Sequence, residues 1–273
     1  MTTPPAGRPR VILLGASNLT RGISTVVRLA QAAVSQPAEF LIACGHGRSY
    51  GQDSTVLGRT LPGIAPCGLW DALRALPPGP TRLLVTDVGN DLLYGAPPEQ
   101  IADWVGACLA QLPRDDTRVA MTGLPLAALA TLQPWRFALL SRVFFPLHAI
   151  SFEGMRRDAL ELNDRLQQLA ARHDAEWIEP CGAWYGFDPI HIRMEVWEAA
   201  WGNIFWELVR CCCAPSASLA EGHRAMVAIE AHAPRAMAHV RPRANYIATC
   251  RRTSGRQSHL DVLVPHRITA NAI

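Results

Sequence analysis

Four short blocks along the chain carry the residue types that acyl transfer requires. They supply a serine hydroxyl, amide N–H groups that can stabilise an oxyanion, and a histidine preceded by an aspartate. No single block is specific, but the combination predicts a serine hydrolase. The blocks are Gly-Ala-Ser-Asn at 15–18, Gly-His-Gly-Arg-Ser at 45–49, Gly-Asn-Asp at 89–91 and Asp-Pro-Ile-His at 188–191.

Ser17 is the candidate nucleophile, because it follows a short apolar run and a glycine and precedes a helical pattern that begins near Arg21. A hydroxyl at that position lies close to a helix N-terminus, where backbone amides stabilise negative charge. A serine in such a turn is also a common helix cap, so the first block alone leaves both interpretations open.

His191 is the candidate base, since an imidazole can take the proton of a serine near neutral pH. Asp188 lies three residues earlier, and a tight turn could bring its carboxylate to the far ring nitrogen of His191. That contact would fix the tautomer and stabilise the imidazolium formed during attack. A helix-capping aspartate followed by an incidental histidine is the alternative.

Three groups could donate hydrogen bonds to a developing oxyanion. They are the backbone N–H of Gly47, the side-chain amide of Asn90 and the backbone N–H of Ser17. Because Gly-Asn-Asp is also ordinary turn chemistry, Asn90 has a purely structural alternative. Asp91 is interpreted as ordering the loop that carries Asn90.

The segments around these blocks alternate between short apolar runs and longer amphipathic patterns, which predicts an α/β fold with a parallel sheet and helices on both faces. The first three predicted strands each lead directly into a block, so the blocks are expected to meet at the carboxyl edge of the sheet. The predicted strands are 10–14, 40–44, 82–86, 118–122 and 176–179, and the predicted helices are 23–34, 70–76, 99–112, 152–172 and 195–209.

Composition excludes several other classes of enzyme. All 26 basic residues are arginine, so the lysine of a P-loop, of a pyridoxal enzyme or of a short-chain dehydrogenase is missing. The glycines at 15–22 do not follow the dinucleotide-binding spacing, and the cysteines form no Cys-x-x-Cys pair that would predict zinc. We therefore expect neither a cofactor nor a metal. The net charge of +3, without a basic run interleaved with aromatics, predicts no nucleic-acid partner.

The chain changes character near Arg210. Residues 211–273 hold 8 arginines against 3 acids and five of the nine histidines, whereas residues 1–210 hold 18 arginines against 20 acids. We predict a hydrolase domain over 1–210 and an appended or weakly structured tail over 211–273. The first ten residues contain no long apolar region, which favours a cytoplasmic protein without a membrane span. The sequence does not predict an oligomeric state.

The four blocks, in this order, resemble those of the SGNH, or GDSL-type, hydrolase family over about residues 9–208. The resemblance implies a flavodoxin-like three-layer α/β/α sandwich with a five-stranded parallel sheet. It also implies Ser17 as nucleophile, Asp188 and His191 as the rest of the triad, and Gly47 and Asn90 as oxyanion donors. Family members include esterases, lipases, thioesterases and carbohydrate deacetylases, so the implied substrate is a small-molecule, glycan or lipid ester.

The first block departs from the usual Gly-Asp-Ser-Leu form, because Ala16 replaces an acid that commonly braces the nucleophile turn. This departure motivates an alternative function, a catalytically inactive SGNH-like domain that binds a small molecule or a glycan. In the glycine-rich second block, Gly45 or Gly51 could replace Gly47 as the oxyanion donor.

The acid-free stretch 117–152 is rich in large apolar side chains, which could wall an acyl pocket or simply pack against the sheet. Trp184 and Tyr185, in the loop before the fourth block, are expected to line the entrance of the site. An aromatic rim suits sugars and acyl chains equally well, so the sequence does not choose between these substrates.

Overall fold

The computed structural model of the chain describes residues 7–34, 37–56, 58–144 and 151–210. The predicted tail, 211–273, lies outside the described residues. So does the predicted boundary between domain and tail.

Five parallel strands form the central sheet, and a two-stranded antiparallel hairpin lies beside it. Each strand predicted from the sequence is confirmed to within one residue at either end. The strands are β1 Arg10–Leu14, β2 Glu39–Ala43, β3 Ser54–Val56, β4 Arg59–Leu61, β5 Thr81–Val85, β6 Thr117–Thr122 and β7 Glu176–Ile178, with β3 and β4 forming the hairpin. The order of strands in the central sheet is β2-β1-β5-β6-β7.

The long predicted helices are present with small shifts at their ends, and the helix predicted over 152–172 has the predicted limits. The hairpin, three helical segments of four or five residues (17–21, 90–93 and 126–130) and the 11-residue helix at 134–144 were not predicted. The three short segments carry too little periodicity to be recognised. The helices are α1 Ser17–Arg21, α2 Ile23–Ala33, α3 Leu69–Ala75, α4 Asn90–Leu93, α5 Pro98–Leu109, α6 Leu126–Ala130, α7 Pro134–Phe144, α8 Phe152–Arg172 and α9 Trp197–Arg210.

The core is divided by the sheet into two layers, as the alternation along β1 illustrates. Ile12 and Leu14 pack in one cluster, with α3, α5 and α8, whereas Val11 and Leu13 pack in the other, with α2 and α9. Side chains of a strand point alternately to opposite faces, so a strand covered on both faces carries apolar residues in succession. The predicted three-layer α/β/α architecture is confirmed.

The order of strands reverses beside β1, because the chain places β2 on one side of β1 and β5 on the other. Ligand sites of open parallel sheets lie at such a switch point, outside the carboxyl ends of the strands. The first block follows β1 and the third block follows β5, so both lie there. Within the described residues, no helix combines the length and hydropathy needed to cross a membrane.

Candidate active site

Ser17 is the first residue of α1 and lies directly beyond the carboxyl end of β1. The sequence predicted a helix that begins near Arg21, but the helical turn begins at Ser17 itself and a second helix, α2, follows after Gly22. Only 6% of Ser17 is exposed to solvent, and its side chain faces an apolar cavity. The hydroxyl is therefore held on a fixed turn inside the protein.

A chain of hydrogen bonds links Ser17, His191 and Asp188. The Nε2 atom of His191 lies 2.9 Å from the Oγ atom of Ser17, and its Nδ1 atom lies 2.5 Å from Oδ2 of Asp188. An imidazole held in this way can take a proton from the hydroxyl while the carboxylate stabilises the resulting cation. The structure thus brings Ser17 together with a histidine that lies 174 positions further along the chain.

The Asp188 carboxylate is tied into its own turn. Its Oδ1 atom accepts hydrogen bonds from the backbone N–H groups of Ile190, at 2.8 Å, and His191, at 3.3 Å. Burial raises the pKa of Asp188, but the hydrogen bond and charge of His191, together with these backbone donors, outweigh burial and leave that pKa below its ordinary value. Asp188 therefore stays ionised wherever the fold is intact near neutral pH.

Asn90 is the first residue of α4, beyond the carboxyl end of β5. It lines the same cavity as Ser17, and its Nδ2 atom is buried without a hydrogen-bond partner in the part of the chain that the structure describes. A buried donor without an acceptor is energetically costly and therefore rare, so it suggests that a ligand atom supplies the acceptor.

Gly47 occupies a position that only glycine fits. Its φ angle is +60°, and a Cβ atom there would lie 2.6 Å from the Tyr94 hydroxyl. The same hydroxyl donates a 2.5 Å hydrogen bond to the Gly47 carbonyl. Burial first and the charge of His191 second lower the pKa of the neighbouring His46.

The two alternative glycines of the second block face other parts of the molecule. A Cβ atom on Gly45 would meet Leu61, and one on Gly51 would meet the ring of Trp104. Both glycines permit close packing of the loop. The role of Gly47 as the oxyanion donor stays a prediction.

Asp91 connects the second and third blocks. Its carboxylate accepts hydrogen bonds from the Ser49 hydroxyl and, at 2.9 Å, from the backbone N–H of Tyr50. Burial raises the pKa of Asp91 to about 6, because it outweighs these two hydrogen bonds. The sequence-based interpretation limited Asp91 to its own loop, whereas the carboxylate in fact holds the glycine-rich loop beside α4.

Sequence reasoning missed Asp87 and Asn18. Asp87 follows β5 and accepts hydrogen bonds from the backbone N–H of Ala16, at 2.9 Å, and of Leu19, at 3.2 Å. The nucleophile turn therefore does contact a carboxylate. This carboxylate follows β5, whereas in the usual form of the first block the acid precedes the serine. The sequence signal that could have identified Asp87 is its position directly after the predicted strand 82–86, combined with the missing acid of the first block.

An apolar cavity extends from Ser17 and Asn90 between the sheet edge and helices α4, α6, α7 and α8, and holds about 1060 Å³ of empty space when its opening to solvent is included. Residues of the acid-free stretch 117–152 line this cavity, as expected if the stretch walls an acyl pocket. Several of the same residues also belong to the core, as expected if the stretch packs against the sheet. The stretch contributes Leu124, Leu129, Leu132, Phe137 and Leu140.

Trp184 and Tyr185 line this cavity as well. Trp184 is 8% exposed, so it forms a buried wall and not an outer rim. Phe187, three residues further along, is the aromatic side chain of this loop that is largely exposed.

Comparisons with known proteins concern the fold. No protein-family model and no curated protein sequence matches the chain. Among solved structures, the chain is similar to a carbohydrate acetylesterase family member from Sinorhizobium meliloti, with a TM-score of 0.51, 14% identity and coverage of 74% of this chain and 98% of that one. An aryl esterase of M. smegmatis matches with a TM-score of 0.48, 18% identity and coverage of 75% and 100%. The resemblance to the SGNH, or GDSL-type, hydrolases that the four blocks predict is confirmed at the level of the fold.

Proposed function

We propose that the protein is a serine hydrolase that cleaves carboxylic esters or thioesters through an acyl-enzyme. The observation that carries the proposal is the hydrogen-bonded chain of Ser17, His191 and Asp188, at 2.9 and 2.5 Å, on the ligand-binding edge of the sheet. Ser17 is buried at the start of α1, and Asp188 accepts backbone hydrogen bonds from Ile190 and His191, which supports a fixed geometry.

In the first half of the reaction, the Ser17 Oγ atom attacks the carbonyl carbon while His191 Nε2 takes the hydroxyl proton. Asp188 stabilises the imidazolium through Nδ1–H. The oxyanion of the tetrahedral intermediate accepts hydrogen bonds from Asn90 Nδ2 and from the backbone N–H groups of Gly47 and Ser17. Collapse of the intermediate expels the alcohol or thiol, which receives the proton from His191.

In the second half, His191 takes a proton from a water molecule as that water attacks the acyl carbonyl. The second tetrahedral intermediate uses the same donors. Its collapse releases the carboxylic acid and returns the proton to Ser17, so the enzyme is regenerated. His191 carries the proton in both halves of the reaction.

The cavity supports an acyl group longer than acetyl. Most of its lining residues are aliphatic or aromatic, and the polar ones include Ser17 and Asn90. Each methylene that leaves water for such a wall contributes about 0.8 kcal/mol, which is about a fourfold gain in binding. We therefore expect kcat/KM to rise from acetyl to octanoyl esters.

Labelling with a fluorophosphonate tests the reaction class. Ser17 should be phosphonylated in the folded protein, Ser17→Ala should not be labelled, and hydrolysis of p-nitrophenyl esters should fall by about 10,000-fold or more in that variant. Absence of labelling in the folded wild-type protein would favour the alternative, an inactive domain that binds a small molecule or glycan.

The alternative function was motivated by Ala16, and the structure weakens that motive. The backbone N–H of Ala16 donates to Asp87, so the nucleophile turn keeps a carboxylate partner despite the missing acid. A binding domain without chemistry also has no need for an imidazole held between a serine and an aspartate.

A further inference from the structure

We infer that Asn18 and Asp87 form a brace that positions Ser17 against His191, in place of the acid that the first block lacks. The inference rests on the proposed function and concerns how its geometry is maintained. Both side chains act through other residues, so they are positioning residues and not catalytic ones.

Asp87 caps α1 from another strand. The first N–H groups of a helix have no partner within the helix, and the residue before α1 is Ala16, whose side chain cannot accept a hydrogen bond. Oδ2 of Asp87 accepts from the N–H groups of Ala16 and Leu19, on either side of Ser17. The turn that presents the Ser17 hydroxyl is therefore fixed to the carboxyl end of β5.

Asp87 adopts a left-handed backbone conformation, with a φ angle of 59°. Such a conformation is uncommon outside glycine, although aspartate tolerates it better than most residues. Unfavourable backbone conformations persist where the surrounding contacts enforce them, often at functional sites. Here the conformation directs the carboxylate toward α1 while the chain continues into the loop of Asn90.

Asn18 joins the same carboxylate to the histidine loop. Its Nδ2 atom donates to Oδ1 of Asp87, at 2.8 Å, and to the carbonyl of Ile190, at 3.0 Å. Its Oδ1 atom accepts from the N–H of Ile192, at 2.9 Å. Ile190 and Ile192 flank His191, so the residue after the serine holds both neighbours of the histidine.

The consequence is a closed set of contacts between three loops. Asp87 holds the turn of Ser17, and Asn18 holds the loop of His191 against that turn. The hydrogen bond between Asn18 and Asp87 joins these two sets of contacts. Reacting groups that are misplaced by about 1 Å can lose about 100-fold in rate. We therefore expect loss of either side chain to lower kcat by about 10- to 100-fold, with KM changed by less than about threefold.

The experiment compares Asn18→Ala, Asp87→Ala and the double variant with the wild-type protein. The readouts are kcat and KM for a p-nitrophenyl ester and the rate of fluorophosphonate labelling of Ser17. Because both residues act in one unit, the loss in the double variant should fall short of the product of the two single losses.

Thr81→Ala is the matched control. Thr81 is fully buried at the amino end of β5, the strand whose carboxyl end leads to Asp87, and its hydroxyl donates to the Gly79 carbonyl. Loss of this hydrogen bond should lower stability at the end of β5 that lies away from Asp87. The control should keep its labelling rate within about threefold of wild type at temperatures where all variants are folded.

Hydrogen exchange provides a readout that does not require activity. The N–H of Ile192 should exchange at least about tenfold faster in Asn18→Ala than in Thr81→Ala, and the N–H of Leu19 should do so in Asp87→Ala. If the wild-type protein is not labelled but both amides respond, the proposed function fails and the brace stands. If labelling is normal in both single variants, or if Thr81→Ala lowers it equally, the brace is refuted.

Discussion

Replacing Asn90 by leucine should lower catalytic activity without lowering stability. The Nδ2 donor of Asn90 is buried without a partner in the described part of the chain, so removing it breaks no intramolecular hydrogen bond of that group. Leucine has a similar size and fills most of the same space. The variant should therefore lose an interaction that exists only when a substrate oxygen becomes negatively charged.

The expected loss of rate is large. Removing one oxyanion donor costs about 2.7 to 4 kcal/mol of transition-state stabilisation, which corresponds to about 100- to 1,000-fold in kcat. KM should change far less, because the neutral carbonyl of the bound ester is a weaker acceptor than the oxyanion. The assay is the kcat and KM of Asn90→Leu for a short p-nitrophenyl ester.

Stability should move in the other direction. An unpaired buried donor carries a desolvation cost of about 1 to 3 kcal/mol, so the free energy of unfolding of Asn90→Leu should stay constant or increase. Asn163→Leu is the matched comparison, since Oδ1 of that equally buried asparagine accepts a 2.9 Å hydrogen bond from the N–H of Leu124. That variant should lose about 1 to 3 kcal/mol in urea unfolding.

Two results would refute this reasoning. A kcat within about threefold of wild type would remove Asn90 from the oxyanion site, since one donor is expected to contribute far more. A loss of stability equal to that of Asn163→Leu would show that Asn90 has a structural partner in solution.

Three other variants test the triad, the buried carboxylate and the cavity. Asp188→Asn should lower kcat by about 1,000- to 10,000-fold at neutral pH, because the amide neither stabilises the imidazolium nor holds the required tautomer. For Asp91, burial raises the pKa from 3.8 to about 6, so between these values the folded protein binds a proton that the unfolded chain has released. The free energy of unfolding should therefore increase by up to about 3 kcal/mol as the pH falls from 7 to 4. In Asp91→Asn, which lacks this carboxyl group, urea unfolding should show a smaller increase. Ala159→Leu, which fills part of the cavity from α8, should lower kcat/KM for octanoyl esters by at least about tenfold and change that for acetyl esters by less than about threefold, as a panel of p-nitrophenyl esters would measure.

For each of these three variants, one result would contradict the prediction. Unchanged turnover in Asp188→Asn would mean that His191 does not need a carboxylate. Parallel pH dependence of wild type and Asp91→Asn would show that the buried carboxyl does not titrate near 6. An equal loss for acetyl and octanoyl esters in Ala159→Leu would place the acyl chain outside the cavity.

Local patterns made the sheet and the triad candidates predictable. After Arg10, strand β1 is apolar from Val11 to Leu14 because both its faces are covered, and this pattern is readable without a structure. Ser17, Asp188 and His191 could be proposed because few residue types combine nucleophile, base and orienting acid. The short helices α4 and α6, by contrast, have only four and five residues, too few for a periodic pattern.

The sequence by itself determined which side chains are chemically able to act and which strand ends carry them. The tertiary structure alone decided which of them meet. Asp87 lies 71 positions from Ala16, and Asn18 lies 172 positions from Ile190, so neither contact leaves a local pattern. The Asn90 amide, which has no partner among the described residues, and the cavity beside it likewise arise from the packing of distant elements. Hydrogen bonding and burial depend on distances in space, whereas periodicity and spacing report only on neighbours along the chain.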